Sequence, residues 1–462
     1  MLNRPTASDA PLPHPVLRGL GRAADHGGVW IAVAAGLAAT RSKWARRAAL
    51  RGLAGAVIGG AAAKVLANGV ARIGPRESAG PLSAMSLPSG ASASAAAFAT
   101  GVALEMPGLA IPAGGLAAAV GVSRAVHRGH PPRGVAAGFA LGSAAGLVTL
   151  RWWARRPAAP AAAARPRREA PASPDGAGLV MIVNCSAGTA SQNLAESLGK
   201  SLPAAEIVVA DAGEDLEAAF RAAAARAAIL GVAGGDGSLR LAAGIAAAAG
   251  LPLLLVPAGT FNHFAADLGV ESADDALAAL RDGDSVLVDV ASAGGDAFVN
   301  TASTGVYVDL VSAREEFERA LGKWPAVMVA LIHVLRHSRP VELLVNGRRR
   351  RVWLLFAGNC RYEPSGAAPA YRPDLADGML DVRLVDGSQP LARTRLIAAV
   401  LLGTLGRSRV YRAWSASELH IASTGGDPVP LCLDGEPTPS SAAVRLVKRP
   451  KKLLVYRPSS GE

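Results

Sequence analysis

The chain has 462 residues, more than one hydrophobic core usually organises, so two or three domains are expected. Hydrophobic residues make up 50% and charged residues 18%, with Gly and Ala crowding the first third, which argues against a purely soluble protein and suits helices packed through small residues in a membrane. The net charge of +12 does not read as nucleic-acid binding, because aromatics are only 4% and the arginine runs flank apolar segments; an anionic membrane surface is the expected partner.

Residues 1–25, rich in Pro and Arg, lack the apolar stretch and cleavage site of a signal peptide and read as a flexible tail. Apolar, Ala-rich stretches follow near 28–40, 48–71, 92–105, 107–122 and 134–150, which predicts an all-α polytopic membrane bundle over 26–153 with about five spans. Arg41, Lys43, Arg46, Arg47 and Arg51 are expected on the cytoplasmic side, as are Arg151, Arg155 and Arg156, with Trp152 and Trp153 at the interface. The N-terminus is then outside, the loops around 72–91 and 123–133 face outward, and everything after the bundle is cytoplasmic, making a multi-pass cell-membrane protein. Residues 154–177, with repeated Ala-Pro and Arg runs, have the composition of a linker.

From Leu179 the pattern becomes short apolar strands alternating with Ala-rich helices: LVMIVN, AEIVVA, AAILGVAG and PLLLVPAG. This predicts an α/β nucleotide-binding subdomain with a parallel sheet over 178–290. Strand-like runs then dominate, including VELLVNG, RVWLLFAGN, LDVRLVD, ELHIAS and LLVYRP, with helices near 311–337 and 390–404. A mainly antiparallel β subdomain is expected over 291–458. Cys185, Cys360 and Cys432 match no metal-ligand spacing and read as reduced, buried thiols. The basic stretch Lys448, Arg449, Lys451 and Lys452 reads as a solvated edge.

Gly234-Gly235-Asp236-Gly237-Ser238 follows a buried strand and opens a helix. Glycines let the backbone approach a phosphate closely, and the helix start presents unpaired N–H groups. Asp236 would repel phosphate directly, so its presence implies Mg²⁺ between them. Two further small, polar loops end equivalent strands: Asn184-Cys185-Ser186-Ala187-Gly188-Thr189 and Pro257-Ala258-Gly259-Thr260-Phe261-Asn262. Ligands of open α/β sheets bind beyond the carboxyl ends of strands, so the three loops describe one nucleotide crevice. Gly199-Lys200-Ser201 lacks the upstream glycine of a P-loop and reads as a helix end.

These loops, with PAGTFNHFAADLG in full, resemble the diacylglycerol kinase catalytic family, and the resemblance covers roughly 178–458. It continues through FVNTASTGVYVD at 298–309, FAGNCRYEP at 356–364, LADGMLDVRLV at 375–385 and LDGEP at 433–437, in the family's order. The resemblance implies an ATP-dependent lipid kinase using Mg²⁺, with diacylglycerol the default acceptor; a sphingoid base, polyprenol or glycolipid would suit the same nucleotide site. It implies nucleotide contacts from Asn184, Ser186, Gly188, Thr189, Gly234, Gly235, Asp236, Gly237, Ser238, Gly259, Thr260 and Asn262, and a late acidic pair, Asp434 and Glu436, at the acceptor hydroxyl. Asp434 is expected to be the base, Glu436 to orient it or hold metal, and Asp236 to contact metal-bound phosphates. Asp377 and Asp381 resemble carboxylates near a structural metal, although a tight turn explains Asp377-Gly378 nearly as well. Cys185, Ser238 and His263 stand where the family often has Pro, Thr and Asp.

In the bundle, Lys64 to Arg76, Pro88-Ser89-Gly90, and Ser123-Arg124 followed by His130 resemble the type 2 phosphatidic acid phosphatase family. His130 matches the nucleophile and Arg124 a phosphate clamp. Ala91 and Gly134 stand where that family has its acid His and orienting Asp, which implies a degenerate site at Lys64, Ser89, Gly90, Arg124 and His130 and a catalytically poor anchor. The rival readings are a slow phosphatase using His127 or His130, making the chain bifunctional, and a non-catalytic nucleotide sensor or scaffold.

Overall fold

In the computed structural model the described residues are 27–40, 42–73, 87–127, 131–157, 159–165, 170–184, 189–211, 213–259, 262–321, 337–366 and 369–459, with a few isolated positions besides. They form two compact units, Met1–Arg155 and Arg156–Glu462. The tail expected over 1–25 lies almost entirely outside the described residues.

The first unit is helical: α1 Gly28–Ala39, α2 Lys43–Ile73, α3 Gly90–Glu105, α4 Ala110–His127 and α5 Pro132–Val148. Small residues set the helix spacing, since a Cβ on Gly142 would lie 2.1 Å from the carbonyl oxygen of Ala93 and one on Gly55 2.9 Å from that of Ala97. Among the described residues, three of the five apolar stretches form helices long and apolar enough to cross a membrane: Trp44–Gly69, Pro107–Val126 and Pro132–Arg151. α1 has 12 residues and α3 has 16, and α3 is largely buried among its neighbours, so its apolar character serves the inside of the bundle. One end of the bundle holds a charged cluster: Glu105 accepts from Nε of Arg47 at 2.9 Å and Nε of Arg51 at 2.6 Å, and Arg51 also donates to Oγ1 of Thr149 at 3.2 Å. Both guanidiniums lie over Trp153, at 5.2 and 5.4 Å.

The second unit is a mixed α/β sheet domain. Its first half alternates β1 Leu179–Asn184, α6 Thr189–Ser201, β2 Glu206–Ala210, α7 Leu216–Ala224, β3 Ile229–Gly234, α8 Asp236–Ala249 and β4 Leu253–Pro257, followed by α9 His263–Leu268 and α10 Ala273–Asp282. The rest comprises β5 Ser285–Ala293, β6 Asp296–Phe298, β7 Thr301–Gly305, α11 Val306–Leu321, β8 Val341–Val345, β9 Arg348–Asn359, β10 Leu380–Asp386, α12 Ala392–Leu401, β11 Tyr411–Ala416, β12 Glu418–Ser423, β13 Leu431–Leu433, β14 Glu436–Thr438 and β15 Ala443–Tyr456. The strand order is β14-β13-β7-β9-β8-β12-β15-β4-β3-β1-β2, with β10 on β9, β11 on β10, β5 on β15 and β6 on β5. β1 to β4 pair in parallel and the later strands almost entirely antiparallel.

Two cores share this one sheet. Val286, Val288 and Val290 of β5 join the core of the parallel half, whereas Ala291 and Ala293 of the same strand join the second. β15 divides likewise, so two long strands weld the halves together. The segment read as a linker is also welded on. Ala161 and Ala170 are buried in the first core, Ala164 exchanges backbone hydrogen bonds with Leu287, and the Tyr456 hydroxyl donates to the carbonyl of Pro171 at 2.7 Å. Its alanines and prolines look like spacer in composition, but small side chains are what a strap against a sheet needs.

Candidate active site

The parallel strands β1, β3 and β4 end at Asn184, Gly234 and Pro257, and these ends lie side by side at one rim. Nδ2 of Asn184 donates to Oγ of Ser238 at 2.8 Å, tying the first loop to the second. A Cβ on Gly259 would lie 2.5 Å from Cα of Gly235, so the second and third loops touch backbone to backbone. Gly235 caps α8, whose first residue is Asp236. Asn262, at φ 48°, accepts from N–H of Gly259 at 3.1 Å and donates back to its carbonyl at 2.8 Å, so its side chain closes its own turn. Thr189 opens α6, while Ser186, Gly188 and Thr260 lie outside the described residues.

The late acidic pair comes to this rim on the β13 to β14 hairpin. Asp434 sits at φ 50°, and its carboxylate accepts three backbone N–H groups: Val299 at 2.9 Å, Asn300 at 2.8 Å and Thr301 at 2.7 Å. Burial among protein atoms pushes its carboxyl up to about 6; the three N–H groups pull the other way, and Asp236 nearby adds to the rise. Glu436 is exposed and faces the glycine loop, with a Cβ on Gly237 falling 1.9 Å from its Oε1. Asn300 joins the two acidic centres: its backbone holds Asp434, and its Nδ2 donates to Oδ1 of Asp236 at 3.3 Å. Asp236 also accepts from the backbone N–H of His263 at 3.1 Å. Asn184, Gly234, Gly235, Asp236, Gly237, Ser238, Gly259, His263, Asn300, Thr301, Asp434 and Glu436 line one cavity of about 830 Å³, which is also walled by Tyr307, Leu310, Val311, Leu354 and Phe356.

Arg372 carried no role in the sequence reading and proves central. It is buried, pairs with Asp267 at 2.8 Å, donates to Oδ1 of Asn300 at 2.9 Å and to the carbonyl of Val299 at 2.6 Å, and lies over Phe264 and Tyr362. The Asn300 amide is thereby oriented from one side by Arg372 and read from the other by Asp236. Arg156, expected only as a juxtamembrane charge, lines the same cavity and donates to the carbonyl of Ala370 at 2.7 Å. No local pattern marks either arginine, although Asn300 stands inside the quoted 298–309 motif.

Residues 178–293 match the family model for the diacylglycerol kinase catalytic domain. A probable lipid kinase YegS-like protein of Pseudomonas fluorescens is 30% identical over 232 residues, covering 49% of this chain and 76% of that protein. The chain belongs to the diacylglycerol kinase catalytic family. It is a lipid kinase. A diacylglycerol kinase of Mycobacterium tuberculosis is 27% identical over 247 residues, covering 50% of this chain and 77% of that protein. A crystal structure of a diacylglycerol kinase from Bacillus anthracis str. Sterne matches 61% of this chain and 97% of its own, at 19% identity and a TM-score of 0.44. These matches concern the kinase unit, and the family implies ATP use and usually a divalent metal.

The kinase site fits a metal-complexed polyphosphate. Its glycines leave backbone N–H groups open to close approach, and the Asp236 carboxylate adds to the rise that burial first causes in the Asp434 carboxyl, so a cation bound at Asp236 would offset negative charge there. Asp377 does not fit a second metal centre. Its ligand atoms lie within 4.8 Å of those of Asp289 and Cys360, but Nζ of Lys448 stands among them, 3.1 Å from Asp289, 2.9 Å from Cys360 and 3.9 Å from Asp377. The ammonium supplies the positive charge there, and Asp377 is spent on its own turn, accepting from N–H of Arg361 and Met379. Lys448, expected at a solvated edge, is buried. Asp381 binds N–H of Tyr362 at 3.1 Å and pairs with Arg383, so it is a structural carboxylate.

In the bundle, the helix ends carrying the phosphatase-like fragments gather at the end away from Glu105. Gly59 of α2 abuts Ala93 of α3, the N–H of Ser89 donates to the carbonyl of Gly134, and Gly121 abuts Val135 and Phe139. Lys64, Ser89, Gly90, Arg124 and Gly134 follow from these contacts to one end, and Ser89 caps α3. His130 lies outside the described residues.

Proposed function

We propose that the kinase transfers the γ-phosphoryl group of ATP to the hydroxyl of a membrane lipid, with diacylglycerol as acceptor. The observation that carries this reading is the joining of Asp236 to Asp434 through Asn300, with Glu436 over Gly237, in one cavity that apolar side chains also line. Mg²⁺ and ATP, when bound, supply the phosphoryl group and offset the negative charge that builds on it. Asp236 would hold the cation, and the backbones of Gly234, Gly235, Gly237 and Gly259 would approach the phosphates.

Both oxygens of Asp434 are committed to backbone N–H groups, so its lone pairs are directed at 299–301 rather than at an acceptor hydroxyl. Glu436 is exposed to the cavity and free of that commitment, so it is the better base for the acceptor hydroxyl, and Asp434 is the group that fixes 299–301. This reverses the roles read from the motif. Leu310, Val311, Leu354 and Phe356 would take the first carbons of the acyl chains. ATP-dependent labelling of an extracted lipid mixture, with mass identification of the product, tests the reading; absence of any phosphorylated lipid alcohol would sink it.

The apolar helices Trp44–Gly69, Pro107–Val126 and Pro132–Arg151 would anchor the chain, with the kinase on the cytoplasmic side. Convergence of Lys64, Ser89, Arg124 and Gly134 at one end supports a phosphatase-like bundle that has lost its acid and orienting groups. The full chain should release no inorganic phosphate from phosphatidic acid above background. Release that disappears in His130→Ala would show the bundle to be active.

A further inference from the structure

Segment 391–416 contains five arginines and no Asp or Glu. It comprises α12 and the turn into β11. The inner face of α12 is anchored: Ala392 and Ala399 are buried, and Ala392 and Leu396 pack with Trp353, Val385 and Val410. The opposite stripe, Leu391, Arg395, Ala398 and Leu402, is spaced at helical intervals and faces solvent, with Leu391 74% and Leu402 63% exposed. Arg407 and Arg409 are exposed in the turn that follows. Arg412 lies 4.0 Å from Asp386 and is set aside as already compensated.

We propose that this face of the kinase unit docks on an anionic lipid bilayer, Leu391 and Leu402 entering the headgroup boundary and Arg395, Arg407 and Arg409 meeting lipid phosphates. Leucines at the two ends of one short helix, with Arg395, Arg407 and Arg409 exposed in the same segment and no Asp or Glu in it, form the pattern of an interfacial element. The apolar patch is a few side chains wide, too small for a stable protein interface, which needs on the order of 1,000 Å². Its position also suits the task. Leu354 packs into the cluster beneath α12 and also lines the catalytic cavity, so docking here would bring that wall of the cavity toward the lipid phase. The inference rests on the lipid kinase assignment but not on which lipid is the acceptor.

The test uses the full chain in nanodiscs of phosphatidylcholine with or without phosphatidylglycerol, followed by amide hydrogen exchange. Peptides covering 391–409 should exchange more slowly in discs containing phosphatidylglycerol, by about fivefold for each arginine engaged. Arg395→Gln with Arg407→Gln, and separately Leu391→Ser with Leu402→Ser, should abolish that slowing while exchange in β9 and β10 stays unchanged. Equal exchange in both discs would overturn the proposal. So would full protection already present in detergent, which would mean that the N-terminal bundle or a second copy covers the face. Exchange is read without turnover, so a wrong acceptor assignment would leave this result intact.

Discussion

Asp434→Asn separates the two roles that the acidic pair can play. In the native site one carboxylate oxygen accepts from Asn300 and Thr301 and the other from Val299, at 2.7–2.9 Å. An asparagine keeps the first oxygen and turns an NH₂ group toward the N–H of Val299, leaving two donors face to face. One unsatisfied buried donor costs about 1–3 kcal/mol, and the remaining bonds lose their charge assistance, so roughly 3 kcal/mol of stability should disappear. For a unit of about 300 residues that lowers Tm by about 5 °C. Because Asn300 also orients Asp236, turnover should fall as well, by roughly a hundredfold, yet remain measurable. Glu436→Gln should do the opposite, leaving Tm within about 1 °C, because the side chain is exposed, and lowering kcat by about 10²–10⁴-fold. Scanning calorimetry of both variants with lipid-kinase assays decides the matter. If Asp434→Asn kept its Tm and lost all activity, while Glu436→Gln stayed active, the assignment of Glu436 as base would be wrong.

Gly237→Ala should fold normally and lose at least about tenfold in kcat, because the added methyl collides with the movable end of Glu436 rather than with backbone; an unchanged kcat would place Glu436 outside the reaction. The pH profile should show an acid limb near 6. Protonating Asp434 there weakens its hold on 299–301, so activity falls as pH drops through about 6, whereas its contribution to stability rises, because the folded state binds that proton more tightly than the unfolded chain does. The limb should be absent from the residual activity of Asp434→Asn. Lys448→Met strips the buried Asp289 of its cation and should cost about 3–5 kcal/mol, visible as a lower denaturation midpoint; rescue of that loss by added divalent ions would show that a metal can replace the ammonium.

Much of the fold was legible because its determinants are local. The apolar runs from Leu179 to Pro257 announce buried parallel strands, and glycine at 234, 235, 237 and 259 marks places where backbone must come close to something. The order of the motifs was enough to reach the family. The first unit was legible as apolar helices but not as a number of spans, because an interior helix such as α3 and a short one such as α1 are as Ala-rich as the three long apolar helices.

What the sequence by itself determined is therefore the set of elements, the glycine loops and the kinase family, all written in residue types at short spacing. Only the tertiary structure decided how groups far apart in the chain share their charges: Asp434 spent on the backbone at 299–301, Arg372 aiming Asn300, Lys448 standing where a metal was expected, and the strap residues Ala161, Ala164 and Ala170 bound to the sheet. A carboxylate or an ammonium has the same letter whether it is solvated, buried or paired. Its role follows from the partners that folding brings within about 3 Å, and those partners are set by sheet register and strand order rather than by neighbours in sequence.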